Sequence, residues 1–401
     1  MSTSTSSAAE SLQVDLVELR RALHAEPEVG LQLPRTQRRV LDALAGLPLE
    51  ITLGERLSSV TAVLRGGRPG PPVLLRGDMD ALPMTERTGS AHASRIDGAM
   101  HSCGHDLHTA MLVGAAHLLS PRREELAGDV IFMFQPGEEG CDGAGKMIDE
   151  GVLEAAGRRP VAAYALHVLS SRLPNGVFAS RRGPMLAGGD VLKVGVRGKG
   201  GHGSAPHLAR NPIPAACAMV GGLQALVADS VDPFDPAVLT IGAIHSGTAG
   251  NIIPDQAVIE GSLRYFSPEA RDALRDRFRQ VCLSTALAHG VEADPEVIEY
   301  VAATVNDDAE ADFAAEVVGD LHGTNRFHAL EHPLTAGEDF SRVLEQIPGA
   351  FLMLGACPTG VDPAKAPENH SPYAVFDDGC LSDGAALLAE LAVRRLARTE
   401  A

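Results

Sequence analysis

Short apolar runs alternate with helical stretches along most of this chain, and that alternation is interrupted once. Residues 59–64, 72–75, 129–134 and 161–168 are apolar runs of strand length, and 109–119 between them has a helical pattern. Strand and helix in alternation predict a layered α/β domain with a mixed, mostly parallel sheet flanked by helices. An amphipathic helix precedes it over 11–25, where Leu12, Val14, Leu16, Val17, Leu19 and Leu23 share one side. Near Gly183-Pro184 the pattern changes. Residues 190–197, 237–244, 257–266 and 291–300 read as strands and 213–228 and 268–289 as helices, giving the order β-α-β-β-α-β. That order predicts a ferredoxin-like α+β domain. Helix and strand signals resume at 309–321, 351–354 and 381–396 and can complete the first sheet. The expected organisation is a first part of the main domain over 11–184, an insert over 185–298 and the second part over 299–401.

The net charge of −18 would repel a phosphate backbone, so nucleic acid is not expected as a partner. No run of 18 or more uncharged apolar residues occurs, so no membrane span is expected. The polar start Met1-Ser2-Thr3-Ser4-Thr5-Ser6-Ser7 has neither the basic nor the apolar part of a secretory signal and reads as a frayed tail. Six cysteines scattered over 401 residues suit reduced thiols and a cytoplasmic setting.

Candidate chemistry lies at the ends of the apolar runs, where ligands gather in open α/β sheets. His101-Ser102-Cys103-Gly104-His105-Asp106-Leu107-His108 puts a thiol and imidazoles on a tight loop before an apolar helix. Such a helix start lowers a thiol pKa and suits a divalent metal. After the run ending at Phe134 comes Gln135-Pro136-Gly137-Glu138-Glu139-Gly140. In an extended chain the two glutamates would point opposite ways, one towards a metal and one towards a proton; a solvated acidic turn is the other reading. His167 ends the fourth run, and His370 lies in Glu368-Asn369-His370-Ser371-Pro372. With Cys103, His105 and Glu139 they make five candidate ligands, one more than a closed four-coordinate zinc requires, which makes more than one metal plausible. In Arg76-Gly77-Asp78-Met79-Asp80, Asp80 could accept a hydrogen bond from a ligand histidine, or simply cap a turn. Within the insert, Gly198-Lys199-Gly200-Gly201-His202-Gly203 is neither a dinucleotide fingerprint nor a P-loop, and its glycines would let His202 approach a ligand. Asn251 and Arg264 add an amide and a guanidinium, the latter suited to a carboxylate.

Taken together, these motifs resemble the metal-dependent aminoacylase and carboxypeptidase family. They are closest to its amidohydrolase branch of hippurate hydrolases, N-acyl-amino-acid deacetylases and indole-acetyl-amino-acid hydrolases. The resemblance runs from Arg21-Ala22-Leu23-His24-Ala25-Glu26-Pro27-Glu28 to Ala336-Gly337-Glu338-Asp339-Phe340 and His370-Ser371-Pro372. It implies a metallohydrolase domain with an inserted lid. It also implies two divalent ions per subunit (Zn, Mn, Co or Ni) held by Cys103, His105, Glu139, His167 and His370, with Glu138 as general base. His202 matches an oxyanion-stabilising lid histidine, and Asn251 and Arg264 match residues that bind the substrate's carboxylate end. Homodimer or tetramer formation through the lid is a further expectation. Asp78 stands where the peptidase branch has a histidine ligand, which favours the amidohydrolase branch, and Gly137 stands where alanine is usual. The implied activity is hydrolysis of a linear amide in a small-molecule N-acyl amino acid. A dipeptidase or carboxypeptidase is the alternative, and a metal-dependent binding protein a more distant one.

Overall fold

The computed structural model describes residues 5–398. They form two compact units. One extends to Gly183 and resumes at Val305–His332 and from Asp339 onward; the other comprises Pro184–Thr304 and Pro333–Glu338.

The first unit is built on an eight-stranded sheet among the described residues. Its strands are β1 (Leu49–Leu53), β2 (Val60–Leu64), β3 (Val73–Asp78), β4 (Val130–Gln135), β5 (Ala162–Pro174), β6 (Phe178–Ser180), β7 (Phe327–Ala329) and β8 (Gly349–Cys357), in the spatial order β1-β2-β4-β3-β5-β8-β6-β7. The central pairs β4/β3, β3/β5 and β5/β8 are parallel, while β1/β2 and β2/β4 are antiparallel. Strands β2, β3, β4 and β8 are buried along their whole lengths, which is why they read as unbroken apolar runs in the sequence. Five helices of this unit are α1 (Thr5–Ala25), α2 (Pro34–Ala43), α3 (His105–Leu119), α4 (Asp308–His322) and α5 (Leu381–Arg398). Of these, α1, α3 and α5 pack on one another, and α3 and α5 on β3. Helix α3 is buried on nearly every side, so it shows little amphipathic periodicity.

Two expectations change here. The polar start is helical from Thr5, because Arg122 Nη1 donates to Thr5 Oγ1 at 2.9 Å and ties the first turn down; the rest of that expected tail, Met1–Ser4, lies outside the described residues. Strand β5 continues past Val168 to Pro174, so His167 sits within a strand rather than at its end.

In the second unit Gly188–Arg197, Val238–Ser246, Gln256–Tyr265 and Glu292–Val301 form a four-stranded antiparallel sheet. Numbered by sequence, the order across it is 2-3-1-4, the arrangement expected of a β-α-β-β-α-β unit. Helices Pro212–Ser230 and Pro268–Ala288 pack against each other and against this sheet. By length and composition alone Pro212–Ser230 is apolar enough to cross a membrane, contrary to the expectation from apolar runs. Its buried positions Ala215, Ala216, Met219, Leu223 and Leu226 recur at helical spacing, as on a helix with one face on a domain core.

Candidate metal centre

Four segments of the first unit converge at the carboxyl ends of its parallel strands. Gly104 has φ 90°, a left-handed conformation that glycine adopts without strain, and α3 begins at His105 immediately after it. A side chain at this position would also strike Val168 Cγ2, 2.3 Å from where its Cβ would lie. The turn therefore leaves Cys103 and His105 side by side at the start of a buried helix. The second segment, after β4, carries Glu138 and Glu139. They lie in a turn and not in an extended stretch, and instead of pointing opposite ways each brings a carboxylate oxygen within 4.8 Å of the other and of a His105 ring nitrogen. Asp80, buried just past β3, accepts the backbone N–H of Glu138 at 3.1 Å and of Glu139 at 3.0 Å, shaping that turn from beneath. Gly137 enters the turn with φ 74°, over Leu31. A β-carbon disfavours that conformation, which gives glycine at this position a local reason.

His167 on β5 and His370 on the loop before α5 supply the other two segments. The Nε2 atoms of both face Cys103 Sγ, at 3.3 and 3.2 Å. His370 Nε2 is also 3.1 Å from Glu139 Oε1. Donor atoms of Cys103, His105 and His167 lie within 4.8 Å of one another, as do those of Cys103, Glu139 and His370. Cys103 is common to both groups. Glu138 Oε2 stands 3.9 Å from His105 Nε2, beside this set.

Further hydrogen bonds set the imidazoles' orientation. His167 Nδ1 lies 2.9 Å from the Val168 carbonyl and, donating there, leaves Nε2 as the free lone pair. His105 Nδ1 stands 3.3 Å from Asp80 Oδ1, the pairing expected from the sequence, and its buried Nε2 has no hydrogen-bond partner. An orphaned imidazole nitrogen beside a thiol and carboxylates is a donor set that fits a borderline divalent cation. Burial opposes charge on His105, but the neighbouring Asp78 and Cys103 and the bond to Asp80 raise its pKa well above the ordinary value. Burial and the adjacent His108 hold His167 well below it. The helix start was expected to depress the Cys103 thiol; instead burial pushes it up to about 12, because desolvation outweighs nearby His105. A bound cation would reverse that balance, since a coordinating thiol gives up its proton.

Asp78 is committed elsewhere. Arg76 Nη1 lies 2.5 Å from one of its oxygens and His108 Nδ1 2.5 Å from the other, all three side chains being buried. Arg76 also donates to Gln135 at 2.9 Å and Asp339 at 3.1 Å. These supporting residues escaped the sequence reading. An arginine at the end of an apolar strand, two residues before an aspartate, was the available signal.

The second unit holds the remaining predicted residues. His202 is exposed, with Nδ1 2.8 Å from Ser204 Oγ, and its short strand pairs with Ile252–Ile253. The backbone carbonyl of Asn251 accepts the N–H of Gly203 at 2.8 Å. Arg264 lies on the central strand Gln256–Tyr265, and its buried Nη1 lacks a hydrogen-bond partner.

Residues 74–394 match the model of the peptidase family M20/M25/M40. The chain is 37% identical to an N-acetylcysteine deacetylase of Bacillus subtilis, covering 94% of this chain and 96% of that protein. It is 38% identical to the IAA-amino acid hydrolase ILR1-like 4 of Arabidopsis thaliana, over 96% and 87% of the two chains. Among solved structures, the Bacillus subtilis YXEP protein, described as a dinuclear metal binding peptidase from the M20 family, superposes with a TM-score of 0.83. That match is 33% identical and covers 97% of this chain and 99% of the other.

Proposed function

The chain belongs to peptidase family M20/M25/M40, and on that premise we propose that it is a metal-dependent amidohydrolase that splits N-acyl amino acids into a carboxylic acid and a free amino acid. The observation that carries this reading is the shared Cys103. Two donor groups, Cys103 with His105 and His167 and Cys103 with Glu139 and His370, fit two neighbouring divalent ions of Zn, Mn, Co or Ni type. Such ions, when bound, supply Lewis-acid polarisation of the acyl carbonyl and lower the pKa of the attacking water.

The chain's own part is positioning and proton transfer. Glu138, placed by the Asp80-bound turn within reach of His105 and Glu139 but in neither group that contains Cys103, takes the proton as water oxygen bonds to the acyl carbon. It returns that proton to the amide nitrogen as the C–N bond breaks. Asp80 keeps His105 presenting Nε2. The roles of His202, Asn251 and Arg264 towards the oxyanion and the substrate carboxylate rest on the motif match.

Six free cysteines support a cytoplasmic setting. The second unit's edge strand Val238–Ser246, with Val238 and Ile244 exposed, supports self-association through that unit.

The test is amine release from N-acetyl, N-benzoyl and indole-acetyl amino acids and from dipeptides, after chelator stripping and restoration with each metal. Metal-restored release from one acyl class is expected. Release from dipeptides alone would replace this reading with a peptidase, and silence across the panel from two-metal protein would refute it.

A further inference from the structure

Val168 follows His167 on β5, and each of its backbone groups is held by a side chain that the mechanism above does not use. Its N–H donates to Nε2 of the buried His108 at 2.8 Å. Because that nitrogen accepts, the neutral ring carries its proton on Nδ1, which faces Asp78 Oδ1. The carbonyl of Val168 faces Nδ1 of His167 at 2.9 Å and accepts from Asn369 Nδ2 at 2.9 Å. Asn369 Nδ2 also reaches the Cys103 carbonyl at 3.1 Å, and Asn369 Oδ1 accepts the N–H of Ser170 at 2.9 Å.

One carboxamide thus joins the Cys103 turn, β5 and the His370 loop. His370 itself has φ 67°, a left-handed conformation that is strained for a non-glycine residue and persists only where its surroundings hold it. Its N–H donates to the Ser102 carbonyl at 2.9 Å. Asn369 and that bond together hold the loop against this strain.

We propose that Asn369 and His108 are positioning residues that lock Val168 from opposite sides and thereby aim His167 and His370 at Cys103. The proposal rests on the metal reading above. Asn369 Nδ2 meets two carbonyl oxygens, so Asn369→Asp would replace a donor with a repelled acceptor while keeping the shape. His108→Gln can keep an acceptor for Val168, whereas His108→Ala cannot.

The experiment uses the full chain with zinc as the probe. Zinc affinity is measured by competition with a chelator, the visible spectrum is recorded after cobalt(II) substitution, and kcat and KM are determined separately. Asn369→Asp and Asn369→Ala are expected to weaken zinc binding by about 10- to 100-fold, the scale for partners that orient metal ligands. They should also alter the thiolate-to-cobalt band and lower kcat more than they raise KM. His108→Gln should recover part of what His108→Ala loses. Should His108→Ala fail to fold, the Asn369 pair, on a half-buried loop residue, carries the test. Wild-type affinity and cobalt spectra in both Asn369 variants would overturn the proposal alone. A wild-type chain that takes up no zinc would overturn the metal reading and this proposal with it.

Discussion

Asp80→Asn removes a negative charge and one acceptor oxygen without changing the side chain's size. In the wild type, one oxygen accepts the Glu138 N–H and faces His105 Nδ1, and the other accepts the Glu139 N–H, at distances of 3.0–3.3 Å. The amide can satisfy one of those oxygens' partners, but its NH2 then points at a backbone donor. The loss is one charge-assisted hydrogen bond, about 1.5–3 kcal/mol, which corresponds to a factor of about 10 to 100 in an equilibrium constant. Since Asp80 is buried, water cannot fully replace the bond. The change should appear as weaker zinc binding and a lower kcat/KM of that size, because the disturbed elements are His105 and the glutamate turn. Chelator competition and steady-state kinetics on an N-acyl amino acid would measure both. Asp80→Asn protein with wild-type zinc affinity and turnover would show that the carboxylate does not orient the site.

Glu138→Gln should keep its metal, as shown by elemental analysis, yet lose at least about 10²-fold in rate, the low end for a positioned acid/base. Gly137→Ala should destabilise the protein by about 1–3 kcal/mol in urea unfolding, because φ there is 74°. A fourth prediction concerns the buried network in which His24 faces Asp106 at 2.7 Å and Glu86 at 3.3 Å. Despite burial, Asp106 and Glu86 raise the His24 pKa; despite burial, His24 and the Ser94 N–H lower Glu86 to about 2. The His24 contribution is therefore complete below its unfolded value near 6.5 and lost as pH rises through its raised folded value. The Glu86 contribution is present above its ordinary 4.5 and lost as pH falls towards about 2. Unfolding free energy of metal-free protein against pH should flatten on the alkaline side in His24→Gln and on the acid side in Glu86→Gln.

Legibility followed the kind of burial each residue experiences. Strands such as β4, buried on both faces, announce themselves as apolar runs, and Gln256–Tyr265 in the insert is also readable. Strand β1, largely exposed along its length, carried no such signal, and three-residue strands β6 and β7 are too short to show a period. Helix α2 was missed because its basic run Arg35 to Arg39 hides the two buried positions, Thr36 and Val40. The five candidate donors were visible as such because thiol, imidazole and carboxylate stand out beside glycine turns. Apart from Asp80, their supports were not, because Arg76, Asp78, His108 and Asn369 acquire meaning through partners up to 266 residues away.

An inner strand of the main sheet is also its last in sequence. Strand β8 lies between β5 and β6, and His370 reaches Cys103 across 267 residues of chain. At about 5–20 residues per second, a ribosome needs roughly 13–53 s to span that interval. Once Val301 has been made and until β8 follows, the first half still lacks the strand between β5 and β6 and Cys103 still lacks His370, while the inserted unit already has all four of its sheet strands. The insert can therefore fold first. On the metal reading proposed above, a cation held by Cys103 and His370 would then close a long loop, much as a disulfide would, and tie the early chain to the late one.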